Sequence, residues 1–117
     1  MASQPLLIGA QLTLDSNGAG TLLFGPVPNV EQWNITTMSV TTSGPNTKQA
    51  LVQVYRNTPS IQAALIDGTY SGNFDTSACD ITLDAGERLY IVWSGGNANA
   101  AATYRIEGTR SMAANVY

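Results

Sequence analysis

The sequence predicts an all-β chain, an antiparallel β-sandwich of jelly-roll-like form. Three observations lead there. Turn signals recur at intervals of roughly 8 to 15 residues, with strand-type residues filling the gaps. No segment carries the apolar period of a confident helix. Prolines gather at corners, where a missing ladder donor does no harm. About nine short strands with proline-rich corners fit a sandwich of this kind.

Each element has its own warrant. "QLTLD" (11–15) alternates, with Leu12 and Leu14 on one face, and the following Asn17-Gly18 is a hairpin-type turn signal. "TLLF" (21–24) returns with Leu22 and Phe24 on one face, and "GPVPN" (25–29) must leave the sheet because each proline lacks an N–H. In "EQWNITTMSVTTS" (31–43), Trp33 and Ile35 share one parity while Met38 and Val40 share the other. A bulge near Thr36-Thr37 reconciles them, since one extra residue reverses the facing. "GPNT" (44–47) is a turn. In "ALVQVYR" (50–56), Val52 and Val54 take one face, Leu51 and Tyr55 the other.

"IQAALIDG" (61–68) is short and ends in Asp-Gly, which favours a strand or an irregular connection over a helical turn. "TYSGNFDTSACDITL" (69–83) reads as a short strand, a Gly-Asn turn and a second strand, and "DAGE" (84–87) as a tight turn. "RLYIVWS" (88–94) is the most strand-like run, with Leu89, Ile91 and Trp93 on one face and Tyr90 and Val92 on the other. After the loop "GGNANA" (95–100), "ATYRIEGTR" (102–110) alternates with Tyr104 and Ile106 inward. The whole chain, 1–117, is expected as one domain, and the ends 1–10 and 111–117, which fall outside the hairpin pattern, are candidates for extended arms.

Composition narrows the function. Charged residues are 11%, against about 25% in typical globular proteins. Such a surface is covered by Ser, Thr, Asn and Gln, which suits a protein that hides much of itself in an assembly. The net charge is −3, and the five cations, Lys48, Arg56, Arg88, Arg105 and Arg110, form no run. Binding to nucleic acid or to an anionic membrane therefore lacks electrostatic support. No basic leader and no long apolar span stand in the sequence, so a soluble chain made in a cytoplasm is expected. Asn34 opens a glycosylation-type "NIT", which without a secretory leader reads as chance.

Candidate chemistry is sparse. One cysteine, Cys79, and no histidine exclude an intrachain disulfide, a structural zinc site within one chain, and Ser-His-Asp or Cys-His catalysis. Cys79 has no basic neighbour in its segment and reads as an inert thiol. The carboxylates sit mostly in turns, where Asp caps backbone, and none is set apart as an acid/base pair. Asp75, Asp80 and Asp84, with Asp67 and Asn73, offer loop oxygens of the kind that ligate calcium, but their spacing matches no EF-hand and the turn reading is preferred. "SGGNANA" has no following lysine or helix and is no phosphate loop. No enzyme activity, metal or cofactor is expected. Aromatics beside Asn, Asp and Gln, Tyr90 and Tyr55 above all, could stack on sugar rings or anchor an interface.

The segment "LIDGTYSGNFDTSACDITLDAGERLYIVWSGGNANAAATYRIEGTR" (65–110) resembles small β-rich virion proteins of tailed phages, particularly those of actinobacterial hosts. The features that carry it are the "DGTYSGN" turn, the "LDAGERL" approach to a strand, "VWSGG" and the closing "ATYRIEGT". "FGPVPNVEQWNITTMSV" (24–40) is similar to their second-strand region around a Trp, so the resemblance spans roughly residues 11 to 110. It implies a non-enzymatic part of the virion: a capsid decoration or minor capsid protein, or a tail accessory protein. It also implies a homo-oligomer, a trimer above all, bound to the major capsid protein or other virion proteins. It supplies no residue with a chemical role. The rival from another class is a carbohydrate-binding module that meets a host surface glycan. Strands with two apolar faces agree with assembly: Leu51, Tyr55, Tyr90 and Val92, opposite the core parity, are the candidate interface.

Overall fold

The computed structural model describes residues 3–43, 48–59, 61–69 and 73–112. Eight strands fill it: β1 (Ser3–Thr13), β2 (Gly20–Phe24), β3 (Glu31–Thr42), β4 (Leu51–Arg56), β5 (Leu65–Thr69), β6 (Phe74–Asp84), β7 (Leu89–Ser94) and β8 (Ala101–Met112). One sheet runs β1-β8-β3-β6 and the other β2-β7-β4-β5, all antiparallel. The pairs nest: β1 with β8, β2 with β7, β3 with β6, β4 with β5. It is one long antiparallel hairpin folded over on itself. Only the β4–β5 connection stays within a sheet; every other connection crosses from one sheet to the other. That wrapping is the jelly roll the sequence predicts.

The two inner faces meet in one core. Trp33, Ile35, Met38, Val40, Tyr104 and Ile106 of the long sheet face Val52, Val54, Leu89, Ile91 and Trp93 of the short one, all buried. Tyr104 is the hinge of this packing. Its ring lies edge-on to Trp93, with centroids 6.0 Å apart, and tilted against Phe24 at 6.3 Å. The bulge falls where the parity conflict requires it: β3 slips register against both β6 and β8 between Ile35 and Thr37. Trp33 and Ile35 below the slip and Met38 and Val40 above it therefore all point inward.

Three expectations change. The first arm is not an arm: from Ser3 onward it is β1, paired along its whole length with β8, with Leu6 buried. An apolar run with Pro5 in it hides the alternation of Leu6, Ile8, Ala10 and Leu12, and Pro5 is tolerated because β1 is an edge strand. At the other end Ser111 and Met112 close β8, and 113–117 lie outside the described residues, as does the turn at 44–47. The Asn17-Gly18 turn forms, with the Asp15 carboxylate accepting from the Asn17 and Ala19 amides at 2.8 and 3.1 Å. Gly18 takes φ 71°, and a Cβ there would strike the Gly96 carbonyl. Yet β1 and β2 are not a paired hairpin; they lie in opposite sheets. Finally, 61–68 splits into a 3-10 turn at Gln62–Ala64 and β5, which runs on to Thr69, so the described residues hold eight strands, and the Gly-Asn turn expected after Thr69 lies largely outside them.

Candidate functional site

The strand registers lay out both outward faces. On the short sheet, Leu23, Tyr90, Tyr55 and Leu65 form one cross-strand row. Thr21, Val92, Gln53 and Gly68 form the next, and Ser94 stands beside Leu51 beyond it. None of these side chains carries a charge. Leu23 is exposed, while Leu51, Tyr90, Val92 and Leu65 are half-buried. Leu51, Gln53, Leu65 and Ile66 line a shallow open groove at the β4–β5 end of this face, and Asp67, on the edge strand, adds one charge to its lining.

All four candidate interface residues thus share one face, with Tyr55 directly opposite Tyr90. They are not equally available. Tyr55 is only 5% exposed and lies outside the central core cluster, so the chain itself covers it. Its hydroxyl donates to Gln53 Oε1 at 3.1 Å. Tyr55 is therefore a buried support for the face, and Leu51, Tyr90 and Val92 are its open part. Sequence reasoning missed Leu23 and Leu65, which join the face through register. The only local signal was that "TLLF" is apolar on both parities.

The outward face of the long sheet is a contrast. Thr41 and Thr103, Ser39 and Thr76, Asn34 and Thr82, and Gln32 and Asp84 stand side by side. Amides and carboxylates bond to each other along it: Asn34 Nδ2 donates to Asp80 at 3.0 Å and Gln32 Nε2 to Asp84 at 2.8 Å. Two large apolar side chains interrupt it, Leu7 on β1 and Phe74 on β6, the latter 76% exposed. Among the described residues Phe74, not Tyr90 or Tyr55, is the aromatic most open to a stacking partner. Its exposure follows from the edge position of β6, which no local pattern reveals.

The carboxylates weighed for calcium separate. Asp67 and Asp75 line the narrow mouth between β5 and β6, together with Ser77, Met38 and Tyr104. Asp80 and Asp84 lie on the outer face, and the Asn73 side chain holds Thr42 and the Lys48 carbonyl. Among the described residues, no three Asp, Glu, Cys or His side chains come together as a metal site. Burial, then the charges of Asp67 and Asp80, raise the Cys79 thiol, which donates to the Ile35 carbonyl at 3.4 Å. Burial, then Asp67, Cys79 and Asp75, raise the Tyr104 phenol well above its ordinary value. The chain matches no family model and no curated protein.

Proposed function

We propose that this chain is a non-enzymatic structural protein of a phage virion, a capsid decoration or minor capsid protein that joins the particle as a homo-oligomer. A tail accessory protein belongs to the same class. One observation supports this reading most: the uncharged outer face of the β2-β7-β4-β5 sheet, with Leu23, Leu51, Leu65, Tyr90 and Val92 on it. A face without charge meets a copy of itself without repulsion. The resemblance at 24–40 and 65–110 points the same way, and jelly rolls serve capsids as well as lectins.

The face is small. Four strands about 4.8 Å apart and five or six residues long project about 350 Å². A standard interface buries about 800 Å² on each partner. The association it supports alone is therefore weak, and an oligomer built on it dissociates on dilution.

The test is the absolute mass in solution, by light scattering over a dilution series. The expected result is a multiple of 12.3 kDa at high concentration: twofold if the face meets the same face of a copy, threefold, as the resemblance implies, if it meets a different surface of the next copy. Val92→Lys sets a charge in the middle of the face and is expected to give a folded monomer. A wild-type monomer at every concentration would sink the oligomer. If that monomer also retained a glycan, and lost it on Phe74→Ala, the carbohydrate-binding reading would take its place.

A further inference from the structure

The four sheet edges are guarded unequally. β1 carries Pro5, β2 is five residues long and runs into Pro26 and Pro28, and β5 is also five residues. β6 is eleven residues with no proline and no cation. The C-terminal end of β6 is occupied: Arg56 Nη1 donates to the Thr82 carbonyl at 2.8 Å, and Glu87 Oε1 accepts from the Asp84 amide at 2.8 Å. From Phe74 to Asp80, β6 has only β3 beside it among the described residues. Among the described residues that stretch has no second strand to pair with, and such an edge is the usual template for an added strand.

Arg56 stands at the occupied end of this edge, and the charges along its open stretch are acidic. Asp75 and Asp80 lie on it, Asp67 faces it from β5, and Asp84 closes it. The ion pairs of the described residues, Arg56–Glu87 and Arg105–Glu107, use none of them. Their field is felt inside the protein: Asp67, Asp75 and Asp80 all act, after burial, on Cys79 or Tyr104.

We propose that the free edge of β6 between Phe74 and Asp80 accepts an extended cationic segment of a different protein as an added antiparallel or parallel strand. A second copy is a poor occupant, because two β6 edges would set like charges against each other. The chain's own cations are scattered and offer no basic strand. The aspartates thus close the edge to self and leave it open to opposite charge. Backbone hydrogen bonds supply affinity, and lysine or arginine opposite Asp75 and Asp80 supplies selection.

The test is a titration of the intact protein with a peptide of alternating lysine and threonine, followed by amide chemical shifts. The expected result is shifts centred on Phe74–Asp80. The same peptide N-methylated at alternate residues should bind at least about tenfold more weakly, because it cannot complete a ladder. Asp75→Asn and Asp80→Asn should each weaken binding about threefold. A glutamate-threonine peptide should not bind. Shifts absent from β6, or an N-methylated peptide that binds equally well, would overturn the proposal. The aspartates would then only block the edge.

Discussion

Tyr104 brings a hydroxyl into the middle of the sandwich, where it donates to Met38 Sδ at 3.4 Å. Burial, first of all, and then Asp67, Cys79 and Asp75 hold its proton on. A free phenol ionises near pH 10. The unfolded chain therefore releases this proton as pH passes about 10, while the folded chain keeps it. Below that pH both states are protonated and Tyr104 adds no pH dependence. Above it, stability falls by up to about 1.4 kcal/mol per pH unit. Tyr104→Phe should cost about 1 kcal/mol or less near pH 7, since a weak bond to sulfur is lost without leaving a strong group unpaired. Between pH 10 and 11 the variant should lose less stability than the wild type. Denaturant unfolding at several pH values checks this, and parallel declines would show that the phenol is not held. The inward aim of Tyr104 is legible in "ATYRIEGTR". Its partner is not, because the bulge turns Met38 inward but only the β3–β8 register sets it beside Tyr104.

The bulge is the element most legible in the sequence. Trp33 and Ile35 cannot share a face with Met38 and Val40 unless β3 gains a residue between them, and the register slips there. What the sequence does not show is the cost on the neighbouring strand. Gly108 of β8 pairs with Ile35 at the slip, and a Cβ on it would collide with the Asn34 carbonyl. Gly9 of β1 is also a strand glycine, but there the nearest atom to an added Cβ is Arg105 Cγ at 3.7 Å, an ordinary contact. Gly108→Ala is therefore expected to destabilise by about 3 kcal/mol, the upper range for overpacking. Gly9→Ala should be neutral or stabilise by about 0.5 kcal/mol. Urea unfolding of both variants checks the pair; equal effects would mean the backbone at the bulge yields freely. β1 itself was hidden for a related reason. Its register with β8 joins the two ends of the chain, and no local pattern carries that pairing.

At the scale of the molecule, the second apolar face was legible and its extent was not. Alternation assigns Leu51, Tyr90 and Val92 outward, but only the registers of four strands reveal that Leu23 and Leu65 complete the rows and that Tyr55 is covered. The same registers set an uncharged face and an acidic edge on one small molecule, and salt separates them. Self-association through the uncharged face has no attractive charge to screen, and the net charge of −3 repels weakly between copies. Raising NaCl from about 50 mM to about 1 M shortens the Debye length from roughly 14 Å to roughly 3 Å. The mass at a fixed protein concentration should then hold or rise. Binding of the lysine-threonine peptide to β6 should fall about tenfold or more over the same range. Light scattering and the peptide titration, run in the same two buffers, read both. If the mass instead collapsed in high salt, the contact between copies would be electrostatic, and the uncharged face would lose its role. Peptide binding that ignored salt would mean that β6 selects its strand by shape rather than by the aspartates.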